Sequence, residues 1–101
     1  MSEDLAAAVA DALRGVIDPE LGYNIVDLGL VYDIAVEAGA AHIRMTTTQA
    51  GCPAAAALKH GAEEAARSVP GIDTAEVYMT WHPAWSPDLM SAAAKERFGI
   101  T

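Results

Sequence analysis

Apolar residues recur at the spacing of an amphipathic helix in two segments of the chain. In the first segment these residues are Leu5, Val9, Ala12, Leu13 and Val16. Ser2 as a cap and acidic residues in the opening turn favour a helix from there to about residues 15–17. In the second segment the apolar residues are Ala55, Leu58, Ala62, Ala65, Ala66 and Val69. This stripe predicts a helix from Pro53 to about Ser68, whose small residues allow close packing on a sheet.

Alternation of apolar and polar residues predicts three strands. The first spans residues 31–37, with one face formed by Tyr32, Ile34 and Val36. After a tight reversal, the second has one face formed by Ala41, Ile43, Met45 and Thr47 and the other by His42, Arg44, Thr46 and Thr48. The third alternates Ala75, Val77, Met79 and Trp81 with Glu76, Tyr78 and Thr80. The first two strands therefore form an antiparallel hairpin with one face buried and the other partly solvated.

A third helix completes the predicted order, which is α-β-β-α-β-α. Ser86, Pro87 and Asp88 supply a cap, a first-turn proline and a first-turn acid, and the helix runs to about Phe98. This order is satisfied by a two-layer α+β sandwich in which helices pack on one face of a small, mostly antiparallel sheet. The chain has 101 residues and 52% hydrophobic content. We therefore expect one domain over residues 1–101, with a single core.

Charge and composition narrow the class of partner and the compartment. The 14 acidic residues outnumber the 6 basic ones, and the net charge is -8. Nucleic acids and anionic membrane surfaces need clustered Lys and Arg, so neither is an expected partner. No apolar run approaches the roughly 20 residues of a membrane span. An acidic N-terminus and a lone cysteine favour the reducing cytoplasm over a secretory route.

The lone cysteine, Cys52, lies between the second strand and the second helix. At a helix start, unpaired N–H groups and the helix dipole favour a thiolate over a thiol. The alternative is a small, inert, buried cysteine. One thiol cannot build a four-ligand metal or cluster site alone, so any iron or cluster is bound transiently or shared between two chains.

Asp18 and Glu20 flank Pro19 in a segment with the composition of a turn. We expect a loop that presents both carboxylates, which can hold a hard metal, orient a histidine or transfer protons. The alternative is that Asp18 merely shapes the turn, and Asp27 is likewise expected to cap a turn.

Histidines and tryptophans are weaker candidates. We interpret His60 as a surface residue and His42 as a solvated or hydrogen-bonded residue on a polar strand face. His82 is the histidine best placed to reach a cleft, but the favoured interpretation is that it anchors its loop. Trp81 and Trp85 flank Pro83 in a stiff loop. They fill core or interface, or they form a rigid wall beside a pocket.

Several short motifs occur together in the chain. They are Asp18-Pro19-Glu20-Leu21-Gly22, the run from Asn24 to Tyr32, Met45-Thr46 with Gly51-Cys52-Pro53, Trp81-His82-Pro83-Ala84-Trp85, and Met90-Ser91. In this order they resemble the small iron-sulfur cluster assembly domain family related to SufT and PaaD, from about Leu13 to Ile100. The resemblance implies an α+β maturation factor of the cytoplasm, with no established substrate turnover, that meets cluster carriers or client proteins.

Family roles fall on particular residues of this sequence. The reactive cysteine falls on Cys52, the acidic loop on Asp18 and Glu20, the second acidic motif on Asp27, and the threonine-rich approach on Thr48. Family members often have Ser or Thr and then Pro where Gln49-Ala50 stands, an acidic residue at His82 and a proline at Ala84. The chain lacks the cysteine-rich extension of longer PaaD-like proteins, which weighs against a role as a phenylacetate-oxygenase component.

Three hypotheses for function remain open from the sequence. In the leading one, Cys52 lies at the mouth of a shallow cleft between the Asp18–Glu20 loop and Thr46–Thr48, and handles iron or a transient cluster, with a homodimer as one way to share it. In the second, the chain is a cysteine-dependent enzyme whose base, a carboxylate or His82, must lie within hydrogen-bond reach of the thiol. In the third, the chain is an adaptor that docks clients through apolar surface near its tryptophans.

Overall fold

The computed structural model describes residues 2–48 and 53–100. Within them the chain forms three α-helices and five strands, with a short 3-10 turn before the last helix. In chain order the elements are α1 (Ser2–Leu13), β1 (Ile17–Asp18), β2 (Tyr23–Asn24), β3 (Val31–Glu37), β4 (Ala40–Met45), α2 (Ala55–Arg67), β5 (Thr74–Met79), the 3-10 turn (Pro87–Leu89) and α3 (Ala92–Arg97). The predicted α+β class is confirmed.

The main sheet has three strands in the order β3-β4-β5. β3 pairs antiparallel with β4, and β5 pairs parallel with β4 through the crossover helix α2. β1 and β2 form a separate antiparallel pair, so two of the three strand pairings are antiparallel. Helix α1 packs on β3, α2 packs on β5, and the two helices contact each other. This is the predicted layer of helices on a mostly antiparallel sheet.

The side chains of β4 that face the core are those that the alternating sequence pattern predicts. Ala41, Ile43 and Met45 are buried, whereas His42 and Arg44 are exposed. Full burial of a side chain of the size of isoleucine or methionine stabilises the fold by about 1.5–3 kcal/mol. From α2, the predicted stripe contributes three buried residues, Leu58, Ala62 and Ala66. No helix within the described residues is long and apolar enough to cross a membrane.

Several elements differ from the predictions, and α1, β4 and β5 each end two or more residues before their predicted ends. No pattern of residues predicted β1 and β2, each of which is only two residues long. The predicted start of the last helix at Ser86 is wrong, because Pro87–Leu89 forms a 3-10 turn and α3 begins at Ala92. The cap of α3 is Ser91, whose side chain accepts a hydrogen bond from Ala94 N at 3.2 Å. Pro53 lies in a turn two residues before α2 rather than at its first position.

Candidate functional site

The carboxyl ends of β4 and β5 lie at the same edge of the sheet because these strands are parallel. β4 continues into Thr46–Thr48, and β5 continues into the segment from Thr80 to Trp85. A hydrogen bond from Thr80 N to Met45 O, at 2.9 Å, joins the two segments where the strands end. The crevice outside the carboxyl ends of neighbouring parallel strands is a recurrent position for binding sites.

The threonine segment after β4 is held from both sides. Thr46 and Thr47 are buried, and Thr46 N donates to Leu30 O at 2.8 Å. Trp81 Nε1 donates to Thr47 Oγ1 at 2.9 Å, and Thr46 Oγ1 donates to Thr47 O at 3.3 Å. The prediction that Thr46 lies on the solvated strand face is wrong, because the strand pattern stops at Met45. Thr48 follows, partly buried, as the last described residue before position 53.

The tryptophan segment is anchored to the loop that precedes β3. Trp85 Nε1 donates to Leu28 O at 2.6 Å, and Tyr32 OH donates to Pro83 O at 2.8 Å. Both indoles are partly buried, and the His82–Pro83 peptide bond is cis. The two tryptophans therefore act as anchors between loops at this end of the sheet.

The loop from Asn24 to Leu30 is fixed by its own side chains. Asn24 Nδ2 donates to Asp27 Oδ2 at 2.8 Å, and Asp27 N donates to Asn24 Oδ1 at 2.9 Å. The turn is thus capped by Asn24, with Asp27 as the reciprocal partner, rather than by Asp27 alone. Gly29 has a φ of +79°, and a Cβ on it would lie 2.3 Å from Leu89 O. Only glycine fits there, because the loop touches the backbone of the 3-10 turn.

The acidic loop differs from its prediction in one respect. Asp18 is only 2% exposed, and its Oδ1 accepts hydrogen bonds from Glu20 N at 2.7 Å and Leu21 N at 3.1 Å. The prediction that this loop presents two carboxylates is therefore wrong for Asp18, which faces inward and shapes the turn. Glu20 is exposed. The turn that Asp18 stabilises is the element that presents Glu20 at the surface.

Backbone hydrogen bonds connect the acidic loop to the threonine segment. Val16, two residues before Asp18, accepts from Ile25 N at 3.0 Å. Ile25 O accepts from Leu30 N at 3.0 Å, and Leu30 O accepts from Thr46 N. Val16 also lies against α2, since a Cβ on Gly61 would be 3.5 Å from Val16 Cγ1. The structure thus links the acidic loop, the loop before β3 and the threonine segment in one network.

Cys52 and its neighbours at positions 49–51 lie outside the described residues, so the predicted place of the thiol at a helix start stays a prediction. Its chain neighbours on both sides are described. Ala54, the N-cap residue of α2, makes no side-chain capping hydrogen bond, and the first turn of α2 carries no acidic residue. Neither the cap residue nor the first turn of α2 therefore supplies a side chain that compensates the partial positive charge of this helix start.

The histidines do not converge on this network within the described residues. His60 is exposed and pairs with Glu64, with 3.0 Å between Nε2 and Oε1, as its surface interpretation requires. His42 is exposed on the open sheet face and stacks on Tyr78, with ring centroids 6.2 Å apart. His82 is exposed. In residues 2–48 and 53–100, no group of three His, Cys, Asp or Glu side chains suits a metal ion.

Two polar groups at or near this end were missed by sequence reasoning. Thr47 lies on the predicted apolar face of its strand, and a hydroxyl buried on that face needs a hydrogen-bond partner. That requirement was the one sequence signal for the contact between Thr47 and Trp81. Tyr78 donates from its OH to Glu76 Oε1 at 2.6 Å. This hydrogen bond raises the pKa of Tyr78 above its ordinary value, and lost solvation and the negative charge of Glu76 raise it further. No sequence pattern indicated that contact.

Comparison with known proteins gives consistent matches. The model of a family described as iron-sulfur cluster assembly protein matches residues 6–78. The chain is similar to the Fe-S protein maturation auxiliary factor YitW of Bacillus subtilis (strain 168), with 44% identity over 101 residues and 99% of each chain covered. It is 40% identical over 87 residues to the Fe-S protein maturation auxiliary factor SufT of Staphylococcus aureus (strain USA300), covering 85% of this chain and 99% of that one. A solved domain of unknown function from Bacillus anthracis superposes with a TM-score of 0.92 at 40% identity, covering 99% and 96% of the two chains.

Proposed function

This chain belongs to the iron-sulfur cluster assembly protein family, and we propose that it acts in the assembly or maturation of iron-sulfur proteins, with Cys52 as its reactive thiol. The observation that carries the proposal is similarity over 99% of the chain to a protein named as an Fe-S protein maturation auxiliary factor. The family match also spans the whole segment from Thr46 to Pro53. The proposed role is that of a carrier or assembly factor, without turnover of a conventional substrate.

Local geometry on both sides of Cys52 supports a role for its thiolate. On one side the hydrogen bonds of Thr46 and Thr47 fix the chain as it leaves β4. On the other side α2 starts at Ala55 without a side-chain cap. An uncapped helix start stabilises a nearby anion, and a thiolate is the form of cysteine that binds iron or attacks a sulfur atom.

The cluster in this proposal is cargo. Cys52 supplies one thiolate, whereas an iron-sulfur cluster usually takes four protein ligands. The described residues offer no set of three metal-binding side chains that would complete a resident site. The remaining ligands therefore come from a second copy of the chain, a carrier or a client protein. We place this exchange in the cytoplasm, where a reducing environment keeps a lone thiol free.

The neighbouring residues have distinct proposed roles. Asp18 is a positioning residue, because its buried carboxylate holds the turn that carries Glu20. Glu20 is an exposed carboxylate that offers an oxygen ligand to iron in transit. Thr48 sets the direction in which the chain enters the segment that contains Cys52.

The test is cluster binding and transfer after anaerobic reconstitution with iron and sulfide. We expect Cys52→Ser to abolish transfer to an apo client protein and to fail to restore client maturation in cells. The matched control is Cys52→Ser combined with Ser68→Cys, which keeps one thiol but moves it to the exposed C-cap of α2. If the moved thiol supports transfer as well as the original, or if Cys52→Ser leaves client maturation intact, the proposal is wrong.

Alkylation at several pH values separates a reactive thiol from an inert one. We expect the pKa of the Cys52 thiol to lie below the value of free cysteine, about 8.5, because a helix N-terminus favours the thiolate. The Ser68→Cys thiol, at a helix C-terminus, should titrate above that of Cys52. A Cys52 value at or above that of free cysteine would support the inert reading and count against the proposal.

A further inference from the structure

The two edges of the main sheet are protected to different degrees. On β5, Val77 N donates to Glu63 Oε2 of α2 at 3.1 Å, so a helix carboxylate covers one of the edge N–H groups. On β3, the backbone hydrogen bonds of residues 32–37 run to β4 and to no other described part of the chain. An edge strand of this kind leaves alternate N–H and C=O groups available to another strand.

The open part of β3 is regular over a useful length. Its pairing with β4 is unbroken from Asp33, opposite Arg44, to Glu37, opposite Ala40. The register shift lies before this stretch, between Val31 and Asp33. At about 3.4 Å per residue, residues 33–37 extend over roughly 17 Å, which is the length of an ordinary strand.

A groove runs beside the start of this edge. Its volume is about 330 Å³, and its lining consists of Ala6, Val26, Val31, Tyr32, Asp33 and Ile34. Ala6 belongs to α1 and Val26 to the loop before β3, so the groove lies between the helix layer and the strand edge. Its walls are mainly apolar, which suits apolar side chains of an added strand.

The acidic side chains of β3 favour one class of strand as the partner of its free edge. Asp33 and Glu37 are exposed and, with Ala35 between them, lie on the same face of β3. If a second copy paired its β3 antiparallel about Ile34, Asp33 of one copy would lie diagonally across from Glu37 of the other, about 7–8 Å away. Such pairing concentrates like charges in a chain whose net charge is already -8. A strand that carries cations opposite Asp33 and Glu37 meets no such repulsion.

We propose that the free edge of β3 is a strand-addition site for an extended segment of a partner protein in which basic and apolar residues alternate. The backbone of the segment pairs with residues 33–37, its basic side chains face Asp33 and Glu37, and its apolar side chains point toward the groove beside Ile34. The residues that carry this proposal do not include Cys52, and the proposal does not rest on the function proposed above.

The probe is a short synthetic peptide in which valine and lysine alternate, titrated into the full chain and followed by NMR. Bound peptide should slow amide exchange at alternate residues of β3 and leave β5 unchanged. Asp33→Lys combined with Glu37→Lys should weaken binding about tenfold, since two favourable cross-strand pairs become repulsive. The matched control is Glu76→Lys combined with Glu96→Lys, which changes the net charge equally at exposed positions away from the β3 edge and should bind nearly as well as the unaltered chain.

Several results would overturn the proposal. They are absence of peptide binding, equal weakening in both charge-reversed variants, equal binding of a peptide that alternates valine and glutamate, and protection on β5 instead of β3. Sedimentation that detects a dimer dissociated by the Asp33 and Glu37 reversals would assign the edge to a second copy instead. Cys52→Ser should bind the peptide normally, so that failure of this proposal and failure of the cluster proposal are separate outcomes.

Discussion

Replacement of Gly29 by alanine should destabilise the protein far more than replacement of Gly22. Both glycines have positive φ values, +79° and +67°. A Cβ on Gly22 meets no described atom within 4 Å, whereas a Cβ on Gly29 would lie 2.3 Å from Leu89 O and 2.6 Å from Leu89 C. The two substitutions therefore share the cost of the backbone conformation and differ in the steric clash.

The magnitudes follow from these two contributions. An L side chain in the left-handed region costs roughly 1–2 kcal/mol, which applies to both variants. Forcing the loop away from the 3-10 turn adds roughly 1–3 kcal/mol at Gly29, as overpacking does in cores. The smaller entropy of an unfolded chain with alanine in place of glycine is common to both variants and cancels in the comparison. We expect losses of about 1–2 kcal/mol for Gly22→Ala and about 2–5 kcal/mol for Gly29→Ala.

Urea unfolding followed by far-UV circular dichroism measures both free energies. The slope of the free energy against urea should be the same in the two variants, because the surface exposed on unfolding hardly changes. A difference between the variants smaller than about 0.5 kcal/mol would refute the reasoning, since it would mean that the contact between Gly29 and Leu89 imposes no constraint.

Two further predictions concern polar groups. Asp18→Ala should lower the free energy of unfolding by about 1–3 kcal/mol, because Glu20 N and Leu21 N lose their shared acceptor. Asp18→Asn keeps an acceptor oxygen and should lower it less. Equal losses of the two variants in urea unfolding would contradict this role of Asp18. Glu76→Gln should lower the raised pKa of Tyr78 toward 10.0, as measured by NMR titration of the tyrosine ring. The folded state favours the neutral phenol of Tyr78, so the hydrogen bond to Glu76 stabilises the fold below pH 10. That stabilisation is lost as the pH rises through the higher pKa of Tyr78 in the folded state. An unchanged pKa of Tyr78 in the Glu76→Gln variant would show that Glu76 is not the cause of the shift.

The sequence predicted the layers of the fold well where one physical signal dominated. The alternation of Ala41, Ile43 and Met45 with exposed neighbours reproduces β4, because burial on one face alone determines that pattern. The apolar stripe of α2 was equally clear. The two-residue strands β1 and β2 have no such signal, since a periodicity cannot be read from two positions.

Prediction of the site was less complete because its geometry depends on long-range contacts. Ser86 and Pro87 have the pattern of a helix start, but Pro87–Leu89 forms a 3-10 turn beside Gly29. The helix begins only after the cap residue Ser91. Asp18 was expected at the surface, yet its carboxylate is taken by the backbone of its own turn. The bond between Trp81 and Thr47 joins residues 34 positions apart, which no local pattern can predict.

The two tryptophan anchors are intrinsic probes of the end of the sheet at which β4 and β5 finish. The indole N–H of Trp81 senses the hydroxyl of Thr47, and that of Trp85 senses the carbonyl of Leu28. The sequence contains two tryptophans, so the NMR spectrum has two indole N–H signals. These signals lie apart from those of the backbone amides and can be observed without labelling the protein. Movement of the threonine segment should shift the first signal alone, and movement of the loop before β3 should shift the second. Every partner, metal or redox state offered to Cys52 can therefore be screened for which of the two loops it disturbs.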